Sequence, residues 1–317
     1  MNIKTSTLIF FSLVFISINV FSQKANRPVA GDPWNVSLDD GSNLPMVWIP
    51  HGKFVMGSPS GEQDRKAEEI QHEVTLIKGF WLGKTEVTIG QWRAVMGESL
   101  RDHVIKMLKD ETVYDFNGRK EKLREYMYFD PDDPDKIMAN EDDTLPMYFV
   151  SWFDAMDFCH KLTTLERKAN RMPKGFEYGL PTEAQWEYAC RAGTVTATYD
   201  VVDSICWYSG NSSSGYEGKK TGNASAGPRK AGERLPNAWG LFDMSGNLWE
   251  WCADWYGAYT LVSVKDASGP ESGTAKVNRG GSWGSGANDQ RSANRAQNPP
   301  GEKSAYRGFR VALMTTH

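Results

Sequence analysis

The sequence predicts an α+β fold made of short strands, about three helices and extensive irregular loops. Three observations predict it: 30 glycines beside 12 tryptophans in 317 residues, three helix-start signatures before residue 190, and a last third broken into short apolar bursts punctuated by glycine. Many glycines mean many backbone positions at unusual dihedrals, hence tight turns. Many tryptophans mean large apolar groups whose N–H needs a partner, which suits cores and binding surfaces. At 40% hydrophobic and 24% charged the chain is not a coiled coil, a collagen-like repeat or a disordered polymer. Its 36 Lys and Arg against 40 Asp and Glu offer nucleic acid no electrostatic footprint.

The N-terminus reads as a targeting segment. Lys4 is the one basic side chain before an apolar stretch, Leu8 to Phe21, interrupted only by Ser12, Ser17 and Asn19. That stretch falls short of the ~20 apolar residues of a membrane span. Val20 and Ser22 then suit a signal-peptidase site before Gln23. Residues 1–22 are therefore expected to be a cleaved signal, which implies a periplasmic or secreted protein with no membrane span after cleavage. Residues 23–44, polar and without periodicity, read as a linker, and 45–314 as the domain.

Within the domain, Met46 to Ile49 and Lys53 to Met56 flank Pro50-His51-Gly52 and read as two strands joined by a turn. Val74 to Ile77 and Phe80 to Leu82 are further short strands. Thr88 with Gln91, Ser151 with Asp154, and Thr182 with Gln185 have capping-box spacing, which places helices at about 89–96, 152–170 and 183–191. The last is expected to stop before Gly193 in a left-handed turn. Between the first two lies an insertion, 97–145, with a short helix expected around Lys120 to Met127 and an acidic run, Asp130 to Asp143, of seven carboxylates opposed only by Lys136. The run lacks the central glycine of a calcium helix-loop-helix and reads as a solvated excursion. Beyond Arg191 the bursts at 239–242, 248–255, 277–283 and 306–313 read as strands and ordered loops, with helices early and sheet late. The four cysteines, Cys159, Cys190, Cys206 and Cys252, show no Cys-x-x-Cys spacing; an exported chain permits two disulfides, and buried free thiols are equally open.

Four ordered segments carry an identity: Gly179 to Arg191 (GLPTEAQWEYACR), Pro236 to Met244 (PNAWGLFDM), Ser245 to Trp251 (SGNLWEW), and Arg279-Gly280-Gly281-Ser282-Trp283 closed by Gly308-Phe309-Arg310. Together with Met46 to Gly57 and Lys84-Thr85-Glu86-Val87-Thr88, they resemble the formylglycine-generating enzyme, or sulfatase-modifying factor, family over about residues 45–313. The resemblance implies a C-type lectin-like fold: a twisted antiparallel sheet, a few helices and much irregular backbone. It also implies a structural calcium site at the side chains of Asp243 and Glu250 and the carbonyls of Gly246 and Leu248. Two carboxylates on one tight loop are chemically reasonable for a cation that wants hard oxygens; the other reading is that Asp243 caps a turn and Glu250 pairs with a buried arginine. A second calcium site of the family would begin near Asn211 and Ser212, but its acidic member has no convincing match in 213–232.

The departure from the family lies at the catalytic centre. Family oxidases bind copper through two cysteines shortly after the Gly-Gly-Ser-aromatic segment, whereas here Ser285 takes the first position and no cysteine follows. A serine hydroxyl ionises far too reluctantly to replace a soft thiolate for Cu(I), so no copper and no copper-dependent oxidation are expected. Cys159 and Cys190 each match one partner of a family disulfide, but Ser292 and Val311 stand opposite. The iron-dependent sulfoxide synthases of the superfamily are set aside, because His51, His72, His103, His160 and His317 have no metal-type spacing.

The expected function is a secreted or periplasmic binding or accessory module for a protein, peptide or glycan ligand. Its face would be lined by Trp249, Trp283, Ser285, Asn288, Asp289, Arg291, Asn294, Arg295 and Asn298, groups suited to stacking and hydrogen bonding. Arg291, Arg295 and Arg310 have a second role open to them, as core partners of Glu183, Glu187 or Glu250. The alternatives are a formylglycine-generating sulfatase-maturation oxidase, another enzyme using Asp289 or Glu250 as base near Ser285, and a retroelement-diversified ligand-binding protein. No histidine and no nucleophile elbow stand near Ser285 to support the second.

Overall fold

A computed structural model describes residues 28–116, 118–126, 134–138, 141–212 and 227–316. The signal segment and residues 213–226 lie outside the described residues, as does much of the acidic run.

The chain enters through β1 (Pro33–Ser37), β2 (Asn43–Ile49), β3 (Gly52–Met56), β4 (His72–Leu76) and β5 (Phe80–Gly83). The domain therefore begins before residue 45: β1 pairs antiparallel with β2 from Pro33 against Val47 to Ser37 against Asn43. The stretch assigned to a linker contains a strand whose signal is the short alternation Trp34, Val36, Leu38, too brief to stand out in its polar surroundings. Nor are β2 and β3 partners. β2 lies between β1 and β5, whereas β3 pairs with β4 in a separate sheet. The turn at Pro50 and His51 thus carries the chain from one sheet to another.

Next come α1 (Ile89–Met96), α2 (Leu100–Lys109), β6 (Val113–Phe116), β7 (Arg119–Lys122), α3 (Leu123–Tyr126), α4 (Trp152–Lys168), β8 (Phe176–Gly179) and α5 (Glu183–Arg191). The three expected helices form, each with a reciprocal capping box at Thr88/Gln91, Ser151/Asp154 and Thr182/Gln185. A fourth box, Ser99/Asp102, starts the unexpected α2. The left-handed stop of α5 falls on Ala192 itself, at φ 45°. The helix expected around residue 120 is instead the strand β7 followed by the single turn α3.

The remaining elements are the one-turn helices α6 (Val202–Ile205) and α7 (Ser209–Ser212), then β9 (Trp249–Trp255), β10 (Val264–Lys265), β11 (Lys276–Arg279), β12 (Arg295–Asn298), β13 (Arg307–Gly308) and β14 (Ala312–Thr315). The burst at 239–242 is a turn rather than a strand. Strands are not confined to the late chain: a five-stranded sheet of order β1-β2-β5-β14-β8 joins the first strand and the last. A four-stranded sheet, β12-β11-β9-β13, a three-stranded one, β10-β4-β3, and the hairpin β6-β7 complete the fold.

One core, with Trp92, Phe158 and Phe309 at its centre, lies under α1 and α4, where Trp92 and Phe158 stack with centroids 5.8 Å apart. A second, around Trp186, Val74, Leu82 and Val277, joins α5 to the sheets. The described acidic side chains of the run lie at the surface, while the insertion that carries them is anchored in the core. Leu100, Val104, Met107, Leu108, Phe116, Leu123 and Met138 are buried and continuous with the first core. Its acidic side chains meet bases from outside the run: Asp143 pairs with Arg93, Asp135 and Glu141 with Arg101, and Asp142 with Lys230. Truncating a well-packed core leucine costs about 2–5 kcal/mol. Leu108→Ala is therefore expected to lower the unfolding free energy by that amount in urea denaturation, whereas an independent surface loop would show a change below about 0.5 kcal/mol.

Candidate functional site

The chemistry of the site begins with α5. Glu183 and Glu187 lie one turn apart and face the same side of the helix. Glu187, fully buried, accepts Gly57 N and Arg191 Nε, both at 2.9 Å, and is paired with Arg279 Nη2. Arg279 also donates to the carbonyls of Ser292 at 3.2 Å and Asn294 at 2.6 Å. Glu183 receives Arg295 Nε at 2.8 Å and Nη2 at 2.6 Å. Burial, the largest influence on Glu187, pushes its carboxyl up; Arg279 and Arg191 more than offset it and hold it below the ordinary range.

A second buried group surrounds Glu250. Arg310 donates to it from Nε and Nη2, both at 2.6 Å, and Trp186 Nε1 adds a bond of 2.7 Å. Asp243 accepts Gly232 N at 2.6 Å on Oδ2, leaving Oδ1 without a partner. Beside them stands Glu86, fully buried, with no N–H donor on either oxygen and the Asp243 carboxyl as its side-chain hydrogen-bond partner. Burial, then Asp243 and Glu250, raise Glu86 well above the usual carboxylate range, and burial pushes Asp243 up to about 6. Gly246 is required where it stands: at φ +79°, a Cβ there would lie 2.3 Å from Trp207 O.

The calcium donors implied by the resemblance are thus brought into one region, but Glu250 has both oxygens engaged by Arg310. The oxygens that no N–H reaches are Oδ1 of Asp243 and both of Glu86, which the family motifs do not mark as a donor and which lies among Lys84, Thr85 and Thr88 with no local sign of burial. Among the described residues no three His, Cys, Asp or Glu side chains are arranged to hold a metal ion.

The nine expected ligand-face residues do not form one open surface. Arg291 is buried and gives two bonds to Glu69, at 2.6 and 2.7 Å, and one to Glu62 at 2.8 Å. Arg295 is buried on Glu183, and its guanidinium lies between Tyr256 and Tyr259, 4.2 and 4.0 Å from their centroids. Asn294 is buried and binds Asp289 O at 2.8 Å. Trp283 is buried, donates to Ala305 O at 3.0 Å and stacks on Tyr306 at 4.6 Å. Asn298 is half-buried and bonds Glu302 at 2.8 Å. What reaches solvent is Asn288, with Asp289, Ser285 and Trp249 half-buried, and the missed Tyr306, whose ring is 39% exposed over Trp283.

Ser285 is held on several sides. Its Oγ accepts Ser282 N at 3.1 Å and Trp249 Nε1 at 3.2 Å and lies 3.0 Å from Ser282 Oγ. The four cysteines are all free and buried, and burial pushes Cys190 up to about 11 and Cys206 up to about 12.

The ion pairs of α5 set a stability profile. Glu187 titrates below its unfolded value of 4.5, so it contributes stability above that pH and loses it as pH falls through its folded value. Glu187→Gln leaves Arg279 partly unpaired in the core and is expected to cost about 3–5 kcal/mol at pH 7. The deficit should shrink at pH 3 in guanidinium denaturation; a pH-independent deficit would show that charge pairing is not its source.

The sulfatase-modifying factor enzyme 1-like domain matches residues 37–315. The chain is 28% identical to the formylglycine-generating enzyme of Streptomyces coelicolor over 84% of this chain and 88% of that enzyme. It is 37% identical to the serine/threonine-protein kinase pkn1 of Chlamydia pneumoniae over 84% of this chain but only 37% of the kinase. The solved structure of Treponema denticola variable protein 1 superposes with a TM-score of 0.64 at 22% identity, covering 88% of this chain and 98% of that one, a likeness of fold. No helix among the described residues is long and apolar enough to cross a membrane. With the lectin-like fold, the buried α5 charges and a domain match across nearly its whole length, the chain belongs to the sulfatase-modifying factor enzyme 1-like, or formylglycine-generating-enzyme-like, family.

Proposed function

We propose that this chain is an exported, periplasmic or secreted, binding or accessory module of that family, which holds a protein, peptide or glycan ligand and carries out no copper-dependent oxidation. The observation that carries the reading is Ser285. At the position where the resemblance puts a copper-binding thiolate stands a hydroxyl that already accepts two N–H donors and meets Ser282 Oγ. No histidine or cysteine follows it before His317, so the segment offers no soft metal ligand. The four cysteines lie elsewhere, with burial raising each thiol. The ligand would rest on the solvent-facing remainder of the expected face, stacking on Tyr306 and Trp249 and hydrogen-bonding to Asn288 and Asp289. The Chlamydia relative, in which the matched region is a minor part of a longer chain named a kinase, is compatible with an accessory role.

Calcium is proposed on the same footing, at Asp243 and Glu250 and the carbonyls of Gly246 and Leu248, with Glu86 as an added oxygen donor. A calcium ion would offset the carboxylate charge that Arg310 leaves unbalanced in this region.

Two measurements test these readings. A cysteine-containing sulfatase-motif peptide, incubated with the mature protein, copper and reductant, is expected to yield no aldehyde above a no-enzyme control by mass spectrometry; Ser285→Cys alone is expected to leave that unchanged, since no cysteine follows residue 285 to supply the family's second thiol. Aldehyde from the wild-type protein would return the oxidase reading. Calcium at a hundredfold excess over its dissociation constant stabilises the folded state by about 2.7 kcal/mol. The melting temperature should therefore rise with calcium and fall with chelator at pH 7; identical curves would remove the calcium.

A further inference from the structure

The cleft enclosed by the end of β9, the start of α5 and the loop from Tyr256 to Pro270 has a volume of about 450 Å³, within the range of small-molecule sites. Met56, Trp255 and Pro270 contribute its apolar walls. Its floor is an ion pair whose partners are mostly engaged with each other and with the cleft wall. Glu183 takes Arg295 twice and Tyr259 OH at 2.8 Å, while the remaining Nη1 of Arg295 donates to Gly257 O at 2.9 Å.

Two other lining groups are different. Asp254 is 4% exposed and accepts Glu183 N at 2.8 Å on Oδ2, but Oδ1 has no donor from another residue. The nearby Lys276 does not serve it: its Nζ donates to Ala253 O at 2.8 Å and lies between the rings of Trp152 and Trp255, 4.1 and 3.9 Å from their centroids. Approach to Oδ1 stays open because residue 269 is glycine. At φ +68°, a Cβ there would stand 3.3 Å from that oxygen. His72, also on the wall, packs on Tyr259 with centroids 4.8 Å apart and has Nδ1 3.0 Å from Ile70 O. A carbonyl can only accept, so Nδ1 carries the proton and a neutral ring leaves Nε2 as an acceptor.

From this geometry we propose that the cleft binds a small molecule carrying a primary ammonium group, at a site separate from the Ser285 face. An ammonium head supplies three donors from one compact centre, which suits an Asp254 carboxylate whose one donor from another residue is Glu183 N and a His72 Nε2 that accepts. It also brings a positive charge into contact with Asp254, on which Lys276 acts only through space, and its aliphatic stem matches the apolar walls. A neutral hydroxyl of the same size supplies one donor and no charge.

Ionisation of Asp254 couples to this binding. Burial, then Glu183, push its carboxyl up to about 7. Glu183 and Lys276 neighbour the group, and His72, Lys265, Asp266 and Arg295 line the same cleft. An ammonium ligand prefers the ionised form, so with a carboxyl titrating at about 7 its affinity rises about tenfold from pH 6 to pH 8.

The test titrates n-butylammonium, and n-butanol as its neutral isostere, into the mature protein with calorimetry or amide chemical shifts as readout. Saturable binding of butylammonium is expected at pH 8, about tenfold weaker at pH 6, with none of butanol. Asp254→Asn should abolish it with an unchanged circular dichroism spectrum, and His72→Ala should weaken it severalfold. No saturable binding, equal binding of the alcohol, pH-independent affinity, or full affinity in Asp254→Asn would each overturn the proposal. Should Asp254→Asn fail to fold, the pH series and the alcohol comparison on the wild-type protein decide it.

Discussion

The ion pair between Glu187 and Arg279 ties together parts of the chain that no continuous sheet connects. Glu187 reaches from α5 to the backbone N–H of Gly57 at the end of β3, and Arg279 from β11 to the carbonyls of Ser292 and Asn294. One pair of side chains thus holds the three-stranded sheet, the helix and the segment leading into β12. Charges removed from water gain little net stability over an apolar core of the same shape, yet losing one partner is expensive. Such a pair therefore selects one arrangement of loops among many. That matters in a fold whose regular strands are mostly four or five residues long.

The same economy of arginines decides where a ligand can go. Arg279, Arg291, Arg295 and Arg310 are each committed to carboxylates in the interior. Their guanidinium groups hold loops in place and are not presented to solvent, so the recognition surface is narrower than the density of polar side chains between Trp283 and Asn298 suggests. What remains are Tyr306 over Trp283, the rim of Ser285, and the cleft beside Asp254. Lys276, clasped between Trp152 and Trp255, shows the same principle: burial draws its amine down to about 8, and the aromatic faces and Ala253 O replace water.

Near Glu86 the balance runs the other way. Three carboxyls, Glu86, Asp243 and Glu250, face one arginine, and no N–H reaches Oδ1 of Asp243 or either oxygen of Glu86, whose side chains bond each other. A buried carboxylate without a partner is costly, so excess negative charge in an interior must be offset by a proton or a cation. This is the physical content behind both the raised Glu86 carboxyl and the proposed calcium.

Local chemistry was legible. The capping boxes at Thr88, Ser151 and Thr182 each involve four consecutive residues, and the helices begin where that spacing puts them. Ser99 and Asp102 carried the same signal; it was obscured by an insertion whose acidic composition resembles solvated loop, although Leu100, Val104 and Leu108 lie on its buried face. The ordered motifs from Gly179 to Arg310 likewise sufficed for the family and its lectin-like architecture. Partners distant in sequence were not legible. The separation of β2 from β3, the capture of Arg291 by Glu62 and Glu69 over more than 220 residues, and the closeness of Glu86 to Asp243 depend on how loops fold back. The sequence by itself determined that Ser285 is no thiol and that arginines and glutamates capable of pairing are both present in the motifs. Only the tertiary structure decided which of them meet, because pairing energies depend on separation and burial, and neither is a property of a residue's place along the chain.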